Sequence, residues 1–426
     1  MRQERSHLSA PGFAVLAVLS LLFAGPAHGA DQETLDRLEK IIEQQQRQIE
    51  NQQKTLEDLQ NQVEALKDRP GQTAVESSGG RPAAVEPGNS KARIKLYGQV
   101  NKAVLFSDDG NDTDTYLVDN DNSSTRVGVL GTISPDDRYE IGTRIELEYQ
   151  TNPSNRVSQD DKRIGGTDLE KRHLDLFVTA KEYGKLSLGW GSTASDGTSE
   201  VDLSGTGVVG YSSIADMAGG QLFYDDSTDS LSATAVGSVF SNMDGLGRDE
   251  RIRYDTPSYR GFTGAASYIS AGGGDLALRY SARIDAYEVA AAAAYADPGS
   301  TSNSVDDSLA GSVSVLHDSG FNGTFAAGRR DHKTPGRDTG MFFYAKFGYR
   351  ADWFSLGKTS ISADYGRFSD IDADGDDADA VGLQLVQDFW DWGTEAYLGY
   401  RFHKLDRSGA DFENVNAVMT GMRVKF

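Results

Sequence analysis

The stretch ENVNAVMTGMRVKF, residues 413–426, decides the fold. From Val418 onward every second residue suits lipid: Val418, Thr420, Met422, Val424 and Phe426. Between them, Met419 apart, stand small or charged residues, Gly421, Arg423 and Lys425. Side chains in a strand alternate faces, so this is a strand with one apolar face and one wet face. A soluble sandwich strand less often sets Arg and Lys against Met, Val and Phe and then stops on an aromatic residue. The reading predicts an all-β chain closed into a transmembrane antiparallel barrel. Its other strands must alternate too, and the first and last must pair so that no edge lies in hydrocarbon.

The composition agrees. Among 426 residues the mean hydropathy is −0.49. Beyond the first thirty residues no apolar run is long enough for a membrane helix. Alternation hides a barrel's hydrophobicity, so the polar average does not oppose it. Glycine is abundant at 47 and proline scarce at 10, which suits tight turns between uninterrupted strands. A formal charge of −22 argues against a nucleic-acid partner. No cysteine is present, so no disulfide framework supports the chain.

Residues 1–29 carry Arg2 and Arg5, an apolar run over 13–24 and small residues at the end, the pattern of a secretory signal peptide. Over 30–68 the period changes. Leu35, Ile42, Ile49, Leu56 and Val63 alternate with Leu38, Gln45, Gln52, Leu59 and Leu66 in steps of three and four. That is a heptad seam and predicts an α-helical coiled coil about 45–50 Å long. Its a and d residues lean towards two strands, while Gln45 and Gln52 blur that preference. Residues 69–91 hold Pro, Gly, Ser and Ala without period and read as a flexible linker.

The two-residue period then occupies 92–426. RIKLYGQVNKAVLF over 93–106 is the first strand, an acidic loop follows, and SSTRVGVLGT over 123–132 is the second. Residues 139–150 alternate best. Tyr139, Ile141, Ile145 and Leu147 are expected on the lipid or subunit side, with Arg144, Glu146 and Glu148 on the lumen side. Short turns at 182–184, 257–261, 352–356 and 391–393 interleave with long loops at 151–167, 297–306 and 369–379. Long loops on one rim and short turns on the other fit a barrel lying across a membrane.

The blocks LYGQVNKAVLF, SSTRVGVLG, YGKLSLGWG, RIRYDTPSYRGFTGAASY and the final MRVKF, taken in order, resemble the general diffusion porins of Gram-negative bacteria over 93–426. Some relatives also carry a periplasmic coiled coil at the amino end, which fits 30–68. The resemblance implies a homotrimer of barrels, each with about sixteen strands, in outer-membrane lipid and lipopolysaccharide. Counting strands by pattern gives about eighteen. The extra pair, 221–226 and 231–240, is assigned to a long third loop or its flanks, leaving sixteen.

The resemblance also implies a third loop that folds inward and narrows the pore. It would follow Gly191 and offer Asp196, Glu200 and Asp202, with glycines that let the backbone turn in. Opposite it the family sets a row of arginines. Arg126 matches that row well. Arg172 matches less well, because it shares parity with Leu174 and Leu176. Alternation adds Arg144, Arg251 and Arg253 to the wall, and places Arg279, Arg283, Arg401 and Arg423 on the lumen face. Acids facing arginines create a transverse field that sorts ions and orients polar solutes.

Other signals are weaker. Asp370, Asp372, Asp374 and Gly375 open like a calcium loop, but position 381 is Val381 where a ligating Glu is required. A loose cation site there competes with a plain solvated loop. His317, Asp318 and Ser319 are neighbours at a turn and do not make a triad by strand geometry. His173, His332 and His403 lack a metal-ligand set. The expected function is passive diffusion of ions and small hydrophilic solutes, without cofactor, metal or catalysis. Two alternatives stay open: a channel specific for small anions such as carboxylates, and a tether joining the barrel to peptidoglycan or periplasmic proteins through the coil.

Overall fold

A computed structural model describes residues 91–164, 168–270 and 272–426. The signal-peptide and coiled-coil readings lie outside the described residues, as does the linker up to residue 90. The chain divides into two units at Gly80/Arg81, and the second holds every element described below.

The wall begins with β1 (Ala92–Asp108). Beside its outer half lies a short strand, β2 (Thr113–Asp119), and then follow β3 (Arg126–Asp136), β4 (Tyr139–Gln150), β5 (Asp168–Ala180) and β6 (Gly184–Ser192). A long loop, 193–247, contains the hairpin β7 (Leu222–Asp225) and β8 (Ser230–Ala235) and one helical turn, Val236–Val239. The wall resumes with β9 (Arg248–Asp255), β10 (Phe262–Ile269), β11 (Gly274–Ile284) and β12 (Tyr287–Asp297). It continues through β13 (Val305–His317), β14 (Phe321–His332), β15 (Gly340–Phe354) and β16 (Gly357–Ser369). It ends with β17 (Asp377–Phe389), β18 (Thr394–Asp406) and β19 (Val415–Lys425).

Each wall strand pairs antiparallel with the next, and β1 pairs with β19 from Gln99↔Lys425 to Asp108↔Asn416. The sheet therefore closes as a barrel of sixteen strands, with every strand edge paired as hydrocarbon demands. The pair that raised the pattern count to eighteen is β7–β8. It forms a separate two-stranded sheet inside the long loop.

Two boundaries differ from expectation. The second wall strand starts at Arg126 because Asp121–Ser123 form a 3-10 turn, capped by Asn120, whose side chain accepts from the Asn122 N–H. It also runs on to Asp136, with an irregular register after Ile133.

The outer surface is apolar and the alternation of β4 is realised. Tyr139, Ile141 and Ile145 are exposed on the outside, and Glu146 is buried inside. Aromatic residues crowd the short-turn rim: Tyr139, Tyr183, Tyr259, Tyr287, Phe321 and Trp353 are all exposed. Tyr149, Tyr268 and Tyr295 occupy the opposite ends of their strands. Such girdles mark the two membrane interfaces. Among the described residues no helix is long and apolar enough to cross a membrane.

The inside is divided. The long loop does not arch away from the rim; it runs down the inner wall. Phe223, Val236, Val239, Phe240 and Met243 pack against inward residues of the far wall, among them Phe342, Tyr344, Phe368 and Leu405, all buried. Burying each such side chain contributes about 1.5–3 kcal/mol. The barrel is thus packed where the loop lies against β13–β19, while residues of β3, β4, β5, β18 and β19 border the space left open.

Candidate functional site

The loop is fastened rung by rung. At its root Asp275 accepts from the Ser195 N–H at 2.8 Å and the Ser195 hydroxyl at 2.5 Å. Arg279 donates to the carbonyls of Ala194 and Asp196 at 2.8 and 2.7 Å. Further along, the Val201 and Leu203 N–H groups donate to Ser312 and Ser314 at 3.0 and 2.9 Å. Lys346, fully buried, donates to Asp202 at 2.7 Å and to the Gly210 carbonyl at 2.6 Å. These partners sit on β11, β13 and β15, so the loop crosses the lumen as a rigid band rather than a flap.

Between band and wall lies a cavity of about 780 Å³. Arg126, Arg172 and Arg423 reach it from β3, β5 and β19. Arg156 and Arg248 also border it. Arg172 is held by Glu146 at 2.9 Å and by Glu148. Arg423 is held by Glu395, donating through Nε at 2.8 Å, and it also donates to Ser123 at 2.6 Å. Arg126 donates to the same Ser123 at 3.0 Å and makes no ion pair among the described residues.

From the band and the first loop come Asp121, Asp196, Glu200, Asp216 and Asp244. Asp196 stands 3.9 Å from Arg248. The other four are held by neutral donors. Asp121 accepts from Gln150 at 2.8 Å and Asn155 at 2.5 Å. Glu200 accepts from Asn242 at 2.9 Å. Asp216 accepts from Tyr211 at 2.6 Å and Ser213 at 2.9 Å. Asp244 accepts from the N–H groups of Gly197 and Ser199 at 2.6 and 3.0 Å.

These four lie in loops, outside the spanning strands, set deep in the barrel yet open to the cavity. Burial raises all of them, Asp121 to about 7 and Asp216 to about 6. Neighbouring carboxylates add to the rise for Asp121, Glu200 and Asp244.

The sequence-predicted residues divide accordingly. Arg126, Arg172, Asp196 and Glu200 meet at the cavity. Arg172 gets there against its parity because β5 carries a bulge: Glu146 pairs with His173 and Leu147 with Lys171, leaving Arg172 as the extra residue. Lys171 then points outward over Trp190, and Arg172 and His173 both turn in. Asp202 borders the cavity, but its charge is taken by Lys346.

Arg251 and Arg253 stand elsewhere than expected. Arg251 is buried on Asp175 at 2.7 Å and donates to the Ser192 carbonyl at 3.0 Å. Arg253 pairs with Asp255 at 2.7 Å and donates to the Thr193 carbonyl at 2.5 Å. Both hold the loop's entrance, because carbonyls leaving the sheet there need donors. Arg144 is on the lumen face but does not border the cavity. Arg401 is fully buried on Asp364. Asp216 and Asp244 were missed although they belong to the same loop, for a loop without period does not reveal which side chains turn inward.

The weaker signals are occupied. Asp374 pairs with Arg337 at 3.1 Å, and Asp372 and Asp376 pair with Arg407, each at 2.6 Å. His317 does meet Ser319 at 2.7 Å, but Asp318 turns away to Arg283 at 2.5 Å and orients neither.

A closed barrel with an apolar belt outside, charges inside and a loop laid across its lumen is a membrane channel. The sequence matches the Gram-negative porin family over residues 77–408, and the chain belongs to that family. It is an outer-membrane channel for passive diffusion. The fold is similar to that of an anion-selective porin from Comamonas acidovorans, with 15% identity, 79% of this chain and all of that one covered, and a TM-score of 0.53. It is likewise similar to outer-membrane expressed OmpT of Vibrio cholerae, with 15% identity, 80% and 99% covered, and a TM-score of 0.51. No curated protein matches the sequence.

Proposed function

We propose that the infolded loop forms the constriction of this pore, with Asp196 and Glu200 on one side and Arg126 and Arg172 on the other. The observation that carries the reading is the anchoring of the loop across the lumen, by Asp275, Arg279 and Lys346, opposite an arginine-bearing wall. Solutes then pass between two fixed, oppositely charged surfaces, and size and charge at that gap limit the flux. No catalysis is needed, and none is assigned.

In the same reading, barrel subunits join as a homotrimer in outer-membrane lipid and lipopolysaccharide. Residues 30–68 lie in the periplasm, where they reach peptidoglycan or periplasmic proteins in addition to, not instead of, the channel role. The apolar outer wall with exposed Ile141, Ile145 and Leu176 suits both lipid and a neighbouring subunit.

The absence of cysteine makes the constriction directly testable. In a Glu200→Cys variant the introduced thiol is the only one. A bulky charged thiosulfonate reagent should then lower the single-channel current in steps. An unchanged current after complete labelling removes the loop from the conduction path.

A further inference from the structure

Resting on that constriction, we propose that the pore is a filter for small organic cations, solutes bearing an ammonium or guanidinium group. What decides the sign is which charges are already paired. Glu146 and Glu148 neutralise Arg172, Glu395 neutralises Arg423, and Lys346 neutralises Asp202. With Asp196 set 3.9 Å from Arg248, what remains facing the passage is mainly acidic: the row Asp121, Glu200, Asp216 and Asp244, with Glu170 at the border, against Arg126 and the bordering Arg156.

The way the row is held matters as much as its sign. Amides, hydroxyls and backbone N–H groups fix each carboxylate in place without cancelling its charge. An arriving ammonium would supply the cation that the protein withholds. A carboxylate on the same solute would find Arg126, which has no ion-pair partner of its own among the described residues. The passage therefore suits a basic amino acid better than an acidic one. It differs in this from the similarly folded anion-selective porin of Comamonas acidovorans. One uncompensated charge a few ångströms from a permeating ion is worth roughly a fivefold bias even at the dielectric of water.

The full-length protein, reconstituted in a planar bilayer at about pH 8 under a roughly tenfold KCl gradient, reads the bias as a reversal potential. Potassium should exceed chloride in permeability by roughly fivefold or more. Arginine hydrochloride on one side should carry cation current, and potassium glutamate should carry little anion current. The Glu200→Gln, Asp216→Asn, Asp244→Asn triple variant keeps most donors engaged and should bring the ratio near one. Arg126→Ser should raise it further, and that variant answers the question if the triple one does not fold.

A reversal potential at zero or towards the anion, with thiol modification of the Glu200→Cys variant still lowering the current, overturns the cation filter and leaves the constriction standing. If labelling of that variant leaves the current unchanged, the constriction is overturned, and the filter with it.

Discussion

Lys346→Met is the perturbation that separates the loop's anchorage from its electrostatics. Lys346 has no exposed surface and makes two short contacts to the loop, to Asp202 at 2.7 Å and to the Gly210 carbonyl at 2.6 Å. Methionine fills a similar volume but leaves Asp202 as a buried charge without a cation. Breaking a buried pair from one side costs about 3–5 kcal/mol. Asp202 keeps its bond from the Ser204 N–H at 2.7 Å, so the lower figure applies. At about 1.4 kcal/mol per decade, the population of displaced loop rises by roughly two orders of magnitude. The assay is single-channel recording. Wild type should conduct quietly, whereas Lys346→Met should flicker between levels and reach larger conductances. The Lys346→Met, Asp202→Leu double variant should regain most of the quiet, because removing both members of a buried pair costs far less than removing one. A Lys346→Met channel with unaltered conductance and noise would refute the reasoning and make the pair incidental to the loop.

Two further outcomes are expected. Cation preference should weaken on acidification. Asp121 and Asp216 protonate as pH falls through about 7 and about 6, and burial shifts Glu200 and Asp244 in the same direction. Around them stand Arg126, Arg172, Arg423 and Arg248, with Glu148 paired to Arg172 and Glu395 to Arg423. Reversal potentials between roughly pH 8 and pH 5 should therefore move towards the anion, and a flat profile would contradict the raised carboxylates. Gly184→Ala should destabilise the barrel by about 1–3 kcal/mol, since Gly184 has φ of 95° and a Cβ there would stand 2.1 Å from the Asp255 carbonyl oxygen. The temperature at which the folded band disappears on a gel in mild detergent should drop.

Wall strands were legible because lipid enforces a strict rule: one misplaced charge is costly, so Tyr139 to Gln150 keep their period. Where another constraint enters, the rule fails. Arg172 reads as outward by parity, yet a bulge turns it in, and sequence alone does not mark a bulge that lacks a glycine. Arg251 and Arg253 read correctly as inward, but alternation gives a direction and not a partner. Their partners, the Ser192 and Thr193 carbonyls, are set by where the loop leaves the sheet. The wall strands opposite the loop depart in part from the wet-inside rule. Phe342 and Tyr344 face inward and Phe343 outward, because a packed loop, not water, covers that side. Of the hairpin β7–β8, Phe223 joins that packing.

The seam between β1 and β19 has a consequence for how the molecule is made. Fifteen of the sixteen wall contacts join strands that follow one another along the chain. The seam joins Val100 to Val424. The entropy of bringing distant segments together is therefore greatest for that one event. Before it the sheet has nearly all its backbone pairing and two open edges; after it there are none. Secondary structure accumulates gradually, while watertightness arrives at once.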